Sequence, residues 1–267
     1  MTRELKDPTP AEQLPRVIKE GPLHVIKEQA LAGGEPNYPL GYLAAKRVVE
    51  AGRAAFFRSP SFDLPVRTST ILAEDDCVPQ FGYVGTDFHA LRVLLLGINP
   101  GDGAKDANAR SAGDEQMMPA LHRFAKFPSP QSFLAAQNAY KGVCRSWHVW
   151  GRHCDELLKK AGLSIDQIAY SNCLPWRTAS KSAFGDSIAE RASRLYAIPL
   201  IEELKPRIIV AVGKKAGTIL GYATNIMPPM VVWNRAQALT ESVEKDRQAA
   251  TARFCALLEE IRRDNAT

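Results

Sequence analysis

The segment VLLLGINPG, residues 93–101, joins an apolar run to a glycine-rich turn that holds one polar side chain, Asn99. An apolar run of this length without alternation is typical of a strand that is buried on both faces. Gly97 and Gly101 allow the backbone to approach a ligand closely, and Pro100 stiffens the turn and orients Asn99. Such a segment predicts a buried strand that leads either into a ligand-binding turn or into an ordinary tight strand–helix connection.

Further apolar runs alternate with helical patterns along the chain after this segment. The strand candidates are 93–98, 167–171, 207–212 and 230–233, and the helical patterns are 130–141, 152–161, 188–204, 214–220 and 243–263. Strands that are apolar throughout and separated by helices indicate an α/β fold with a mainly parallel sheet covered on both faces. We assign this α/β domain to residues 91–267.

Residues 1–90 differ from the rest because they contain frequent prolines and only one amphipathic helical pattern, over 41–57. We expect them to form a partly helical extension that packs on the α/β domain.

Composition excludes several classes of protein. The chain has 267 residues, of which 45% are hydrophobic and 24% charged, which is ordinary for a folded domain and unlike disordered or collagen-like chains. Five cysteines without a C-x-x-C pair argue against a disulfide framework or a zinc ribbon. With neither a secretion signal nor an apolar run long enough to span a bilayer, we expect a soluble, cytoplasmic protein with reduced thiols. The net charge of +5 permits a nucleic-acid partner without requiring one.

Polar side chains follow each strand candidate, where parallel sheets bind their ligands. They are Asn99 after the first strand, Asn172 after the second, Lys214 and Lys215 after the third, and Asn234 after the fourth. The two lysines stand where a helix begins, which suits either a phosphate contact or a solvated helix start. Convergence of these groups predicts one crevice at the carboxyl ends of the strands.

The turn Gly97-Ile98-Asn99-Pro100-Gly101 resembles the first active-site motif, G-I-N-P-G, of the mismatch-specific uracil and thymine DNA glycosylases. This resemblance to the uracil-DNA glycosylase superfamily implies a three-layer α/β/α sandwich that hydrolyses the bond between a flipped base and deoxyribose. It implies that Asn99 positions the attacking water. An amide orients water but cannot take its proton, so an oxocarbenium-like sugar and slow turnover are expected. No metal or organic cofactor is implied.

Two further stretches resemble the same superfamily. The sequence AYSNCLP, residues 169–175, matches the strand whose asparagine reads the edge of the flipped pyrimidine, which implies that role for Asn172. The preceding DELLKKAGL, residues 155–163, is similar to a helix of several members. The superfamily also stacks an aromatic ring on the base, and Trp147 is the chosen candidate, with Trp150, Trp176 and Phe127 as other possibilities.

The fourth loop departs from the superfamily pattern. Members have H-P-S or N-P-S here, whereas this chain has WNRAQALT at 233–240. The resemblance assigns Asn234 to the first position of the motif, and Arg235, Gln237 or Leu239 to filling the gap that the extruded base leaves in the duplex.

Together these observations predict a monomeric DNA glycosylase acting on uracil or on a mismatched or modified pyrimidine, including modified viral cytosines. DNA is the expected partner, in double- or single-stranded form. Two alternatives remain open. One is a catalytically weak or inactive DNA-binding module of the same fold, and the other is an unrelated α/β enzyme with a nucleotide-sized ligand.

Overall fold

A computed structural model gives the chain an α/β fold built on five strands. It describes residues 38–52, 55–56, 78–100, 112–147, 150–177, 186–221, 228–236 and 240–267. The strands are β1 (Tyr83–Val84), β2 (Val93–Gly97), β3 (Ile168–Asn172), β4 (Ile208–Val212) and β5 (Met230–Trp233). Their order in the sheet is β1-β3-β2-β4-β5, and β1 is antiparallel to β3 while all other neighbours are parallel.

Helices connect the strands throughout the described residues. They are α1 (Tyr42–Ala51), α2 (Phe88–Leu91), α3 (Ala112–Lys126), α4 (Pro130–Cys144), α5 (Asp155–Ala161), α6 (Asp186–Ala192), α7 (Ile198–Leu204), α8 (Lys214–Leu220) and α9 (Glu241–Ala266). Two π-helical turns, Trp150–Cys154 and Ser193–Ala197, precede α5 and α7, and a 3₁₀ turn, Ile165–Gln167, leads into β3.

Every residue of β2, β3 and β4 is buried. This burial indicates that helices cover both faces of the sheet. The connection from β2 to β3 leads toward one edge of the sheet. The connection from β3 to β4 leads back past β2 toward the opposite edge. Right-handed crossovers in opposite directions place their helices on opposite faces. Accordingly α8 packs with α6, and α9 packs with α5. This arrangement is compatible with a three-layer α/β/α sandwich.

The four predicted strands are confirmed to within one residue at each end. The predicted helix 188–204 is interrupted by the π turn, which ends just before Pro199, a residue that has no N–H to continue the helical bonds. Sequence reasoning missed β1, which is only two residues long, and α3, which contains Pro119. Burial of one apolar stripe stabilises α3 despite its proline, and this stripe comprises Met117, Met118, Leu121 and Phe124.

Residues Pro39–Thr267 form one compact unit. Helix α1 packs on α7, and the Glu203 carboxylate accepts hydrogen bonds from the first-turn N–H groups of Leu43 and Ala44. Strand β1 also precedes residue 91, so the sheet takes one strand from before the predicted boundary. None of the helices in the described ranges is both long and apolar enough to cross a membrane.

Candidate functional site

The carboxyl ends of β2 and β3 lie side by side and stay paired beyond the strands. Gly97 pairs with Asn172 in the parallel register. The N–H of Cys173 then donates to the carbonyl of Gly97 at 2.8 Å, and the N–H of Leu174 donates to the carbonyl of Ile98 at 2.9 Å. These bonds hold two of the predicted site segments next to each other where a ligand would approach.

The Asn172 side chain occupies the space that a side chain at Gly97 would need. A Cβ added at Gly97 would lie 2.4 Å from Asn172 Oδ1 and 3.2 Å from the hydroxyl of Tyr170. Asn172 is only 2% exposed, so its amide has little freedom to move aside. The glycine of the first motif is therefore required by the asparagine of the second.

Aromatic side chains support the Asn172 amide. Its Nδ2 donates to the hydroxyl of Tyr140 at 3.4 Å. Burial raises the pKa of Tyr140 well above its ordinary value, so the phenol stays protonated. The Tyr140 ring in turn meets Trp147 edge to face, with centroids 4.9 Å apart. The predicted stacking residue, Trp147, thus contacts the same tyrosine, Tyr140, that is hydrogen-bonded to Asn172.

The other aromatic candidates are either buried in the core or exposed beside a charged side chain. Trp150 and Trp176 are buried in the core. Phe127 is 63% exposed at the end of α3, with the Lys126 ammonium 5.3 Å from its ring. Trp147, half-buried beside Tyr140, is the candidate that combines a partly open surface with a nearby polar group.

The turn after β2 presents Asn99 between two buried neighbours. Ile98 and Pro100 are buried, whereas Asn99 is half-buried. The Asn99 Nδ2 donates to the carbonyl of Pro100 at 3.3 Å, a bond that holds the amide close to its own turn. Gly101 lies outside the described residues.

The side chain of Asn234, the second predicted catalytic residue, forms hydrogen bonds within its own loop and with α9. Its Nδ2 donates to Asp246 Oδ2 at 2.8 Å, and its Oδ1 accepts from the N–H of Ala236 at 3.0 Å. Only 7% of Asn234 is exposed. One donor and one acceptor position of this amide are therefore already used within its own loop and on α9.

Arg247 on α9 is the residue that sequence reasoning missed in this loop. Its Nε donates to the carbonyl of Asn234 at 2.9 Å, and one terminal nitrogen donates to the carbonyl of Ala236 at 3.2 Å. The guanidinium also lies over the Trp233 ring, 5.7 Å from its centroid. An available signal was the position of Arg247 within the buried stripe of an otherwise charged helix.

Three of the predicted DNA-contacting residues, Lys214, Lys215 and Arg235, lie on the β4–β5 side of the sheet. Lys214 is exposed at the start of α8, and its Nζ lies 3.3 Å from Asp246 Oδ2. Lys215 is half-buried. The stem of Arg235 covers Gly213, since a Cβ added there would lie 3.5 Å from Arg235 Cδ. Gln237 and Leu239 lie outside the described residues.

A buried ion pair that was not predicted anchors the loop after β3. Arg177 meets Asp114 of α3 at 2.5 Å, with the two side chains 5% and 3% exposed. This pair links the loop after β3 to α3, the helix that comes next in the sequence after the Asn99 turn among the described residues.

Within the described ranges, no three His, Cys, Asp or Glu side chains come together as a metal-binding group. No protein-family model matches the chain, and a search of curated proteins returns no match.

Proposed function

We propose that this protein is a DNA glycosylase with a uracil-DNA glycosylase-like, three-layer α/β/α fold. Its substrate would be DNA containing uracil or another mismatched or modified pyrimidine, flipped out of the stack. The proposal needs no cofactor and locates the reaction at the carboxyl ends of β2 and β3.

The observation that carries the proposal is the contact between Gly97 and Asn172. Asn172 stands against the glycine of the first motif at the end of a buried strand, and its amide has the donor and acceptor atoms that the polar edge of a flat ligand would require. Trp147, one side chain away, offers a surface for stacking, which contributes ~1–3 kcal/mol per base in other nucleic-acid complexes. A pyrimidine base matches both the polar edge and the flat face.

The proposed reaction breaks the bond between C1′ of the sugar and N1 of the base. The bonding electron pair leaves with N1, and the sugar becomes an oxocarbenium-like cation. A water oriented by Asn99 forms the new bond to C1′ and releases a proton to solvent. Asn99 has no useful basicity, so this order of events suits it better than direct abstraction of a proton from water.

Access to a base in duplex DNA requires flipping, which costs a few kcal/mol and is easiest at mismatches and in single strands. The basic residues of the β4–β5 side, Lys214, Lys215 and Arg235, are the proposed contacts to DNA. Affinity that falls steeply with added salt would support these contacts, because counterion release drives phosphate binding.

A second candidate function, a DNA-binding module without turnover, is favoured by one observation. Asn234 uses its amide on Asp246 and Ala236, so the side chain assigned to the second catalytic position is already engaged. A protein that retains base recognition through Asn172 but lacks a partner on the opposite side would bind flipped bases without releasing them.

Base release from labelled oligonucleotides separates the two functions. The panel holds uracil opposite guanine, uracil opposite adenine, single-stranded uracil, thymine mismatches, hypoxanthine and modified cytosines. We expect abasic sites with the wild-type protein and none with Asn99→Ala. The matched control is Asn138→Ala, since Asn138 lies exposed on α4.

Equal release by wild type and Asn99→Ala would reject the proposed role of Asn99. No release from any substrate, with salt-sensitive DNA binding intact, would reject catalysis and support the binding module.

A further inference from the structure

The hydroxyl of Tyr140 lies in the core, where a polar atom needs a hydrogen-bond partner. Tyr140 is fully buried. Within the described ranges, the partner of its hydroxyl is Nδ2 of Asn172, at 3.4 Å. A phenylalanine would fill the same space without burying a polar atom, and a buried hydroxyl is unfavourable unless it is paired. Packing of the core therefore does not account for this hydroxyl, whereas its contact with Asn172 does.

The ring of Tyr140 contacts the other proposed base-binding residue. Trp147 follows Tyr140 by seven positions, and its N–H donates at 3.1 Å to the carbonyl of Cys144, the last residue of α4. The rings of Tyr140 and Trp147 meet edge to face, with centroids 4.9 Å apart and planes at 87°. Trp147 itself is half-buried. The buried tyrosine ring thus limits where the indole can lie.

The Tyr140 ring has little freedom to move by itself. The ring of Tyr170 lies 6.2 Å from it between centroids. The hydroxyl of Tyr170 in turn lies beside Gly97, 3.2 Å from the position of an added Cβ. A fully buried ring in a close-packed core moves only with its neighbours, and such a core transmits strain. A shift at Asn172 or at Trp147 is therefore passed to the other residue through this one ring.

We propose that Tyr140 is a positioning residue that couples recognition of the base edge to stacking on the base face. This inference rests on the proposed function, in which Asn172 contacts the edge of the flipped pyrimidine and Trp147 contacts its face. The Tyr140 hydroxyl holds the amide and the Tyr140 ring holds the indole, so both groups are in place before the base arrives. Binding then loses less conformational freedom. A base that meets both groups is favoured by more than two independent contacts would provide.

The test measures base preference, which is the ratio of the dissociation constants for two oligonucleotides that differ at one position. One carries 2′-fluorodeoxyuridine, whose glycosidic bond resists cleavage, opposite guanine, and the other carries a base-free tetrahydrofuran residue there. Tyr140→Phe keeps the ring and removes only the hydroxyl. We expect this variant to lower the base preference by about 10-fold, as for the loss of one hydrogen bond at a buried site.

Tyr196→Phe is the matched control, because it also removes a fully buried hydroxyl from the core. The Tyr196 hydroxyl is hydrogen-bonded to Ser171 Oγ at 2.9 Å and to the carbonyl of Phe81 at 3.2 Å, and neither is a proposed site residue. Both variants should unfold at slightly lower urea concentrations than wild type, but only Tyr140→Phe should lose base preference. If both variants lose it equally, or if neither does, Tyr140 has only a structural role and the inference is overturned.

A double-mutant cycle tests the coupling itself. Asn172→Ala and Trp147→Leu are combined in the wild-type protein and again in Tyr140→Phe. In wild type, the loss of base preference in the double variant should fall short of the product of the two single losses by about 5-fold, because residues that share a partner are coupled. With Tyr140→Phe the two losses should multiply to within about 2-fold. Losses that multiply in both backgrounds, or in neither, would overturn the inference.

These binding measurements do not depend on turnover. If wild type prefers the fluorinated uracil nucleotide to the base-free residue but releases no uracil from DNA, the proposed glycosylase fails, while the cycle still decides the role of Tyr140. If wild type shows no base preference, no base is held between Asn172 and Trp147 and the inference fails. Release of uracil, measured separately, then still decides the proposed function.

Discussion

The two sides of the crevice are built by different means. On the β2–β3 side, neutral groups in close contact form the site: Gly97, Asn172, Tyr140 and Trp147. On the β4–β5 side, charged side chains surround Asn234, and its partners come from a helix that begins at Glu241. The site residues of the first side are held by packing, and the Arg177–Asp114 pair of that side is buried. The second side is held by hydrogen bonds and charge, and its Lys214–Asp246 pair is exposed.

This difference shows where each side tolerates change. A packed, buried arrangement responds to the addition of a single carbon atom, because nothing nearby can move without opening a cavity. The Lys214–Asp246 pair of the other side is exposed and can exchange partners with water at low cost. We therefore expect the largest effects of mutation on the β2–β3 side.

The largest effect should follow from breaking the buried ion pair. Asp114→Asn leaves the Arg177 charge buried beside a neutral amide, and loss of one partner of a buried pair typically costs about 3–5 kcal/mol. The free energy of unfolding in urea measures this loss. Asp246→Asn, which alters the exposed pair with Lys214 on the other side, should leave the unfolding midpoint nearly unchanged. Equal losses in the two variants would remove the contrast between the sides.

A smaller effect on stability, but a large one on activity, should follow from Gly97→Ala. The added Cβ would lie 2.4 Å from Asn172 Oδ1 and displace an amide that the proposed reaction requires. Misplacement of a positioning group by about 1 Å can cost about 10²-fold in rate, which is the loss we expect in single-turnover base release.

Gly142→Ala is the matched control for Gly97→Ala, since a Cβ there meets no atom within 4 Å on a helix. It should retain wild-type activity. If Gly97→Ala remains fully active, the contact with Asn172 does not constrain the site.

The smallest effect concerns the ionisation of Asp246. The hydrogen bond from Asn234, followed by the contact and charge of Lys214, lowers the pKa of Asp246 below its ordinary value of 3.8. A lowered pKa means that the stabilisation is present above the unfolded pKa and lost as the pH falls through the folded pKa. The pH titration of the Asn234 side-chain amide signals, followed by NMR, should therefore have its midpoint below pH 3.8.

Lys214→Gln should move this transition upward, and Asp246→Asn should abolish it. A transition at or above the ordinary pKa in the wild-type protein would show that Asn234 does not hold the ionised carboxylate.

Local patterns in the sequence were sufficient to predict most of the sheet. Continuous apolar runs such as 93–97 can only be buried strands or helices, and their length selected strands. Short or atypical elements escaped this reasoning: β1 has two residues, and α3 contains Pro119. Their stability comes from pairing with β3 and from burial, which a local pattern does not report.

The candidate site likewise contains some residues that local sequence patterns located and others that they did not. Asn99 and Asn172 stand directly after apolar strands, so their placement at the carboxyl edge followed from the strand predictions. Tyr140 and Arg247 lie within helices, and the residues Asn172 and Asn234 that they contact are 32 and 13 positions away along the chain. Asp114 meets Arg177 across 63 positions. Nothing in their immediate neighbours marks such contacts.

The sequence by itself determined the alternation of strands and helices, the glycine turn after β2 and the polar residues at the strand ends, because these depend on periodicity and local backbone preference. Only the tertiary structure decided how those residues are used. It directs the Asn234 amide into its own loop, places the Arg235 stem across Gly213 and holds Asn172 against Gly97. The physical reason is that hydrogen-bond partners, desolvation and steric fit depend on distances in space, which the order of residues along the chain does not specify.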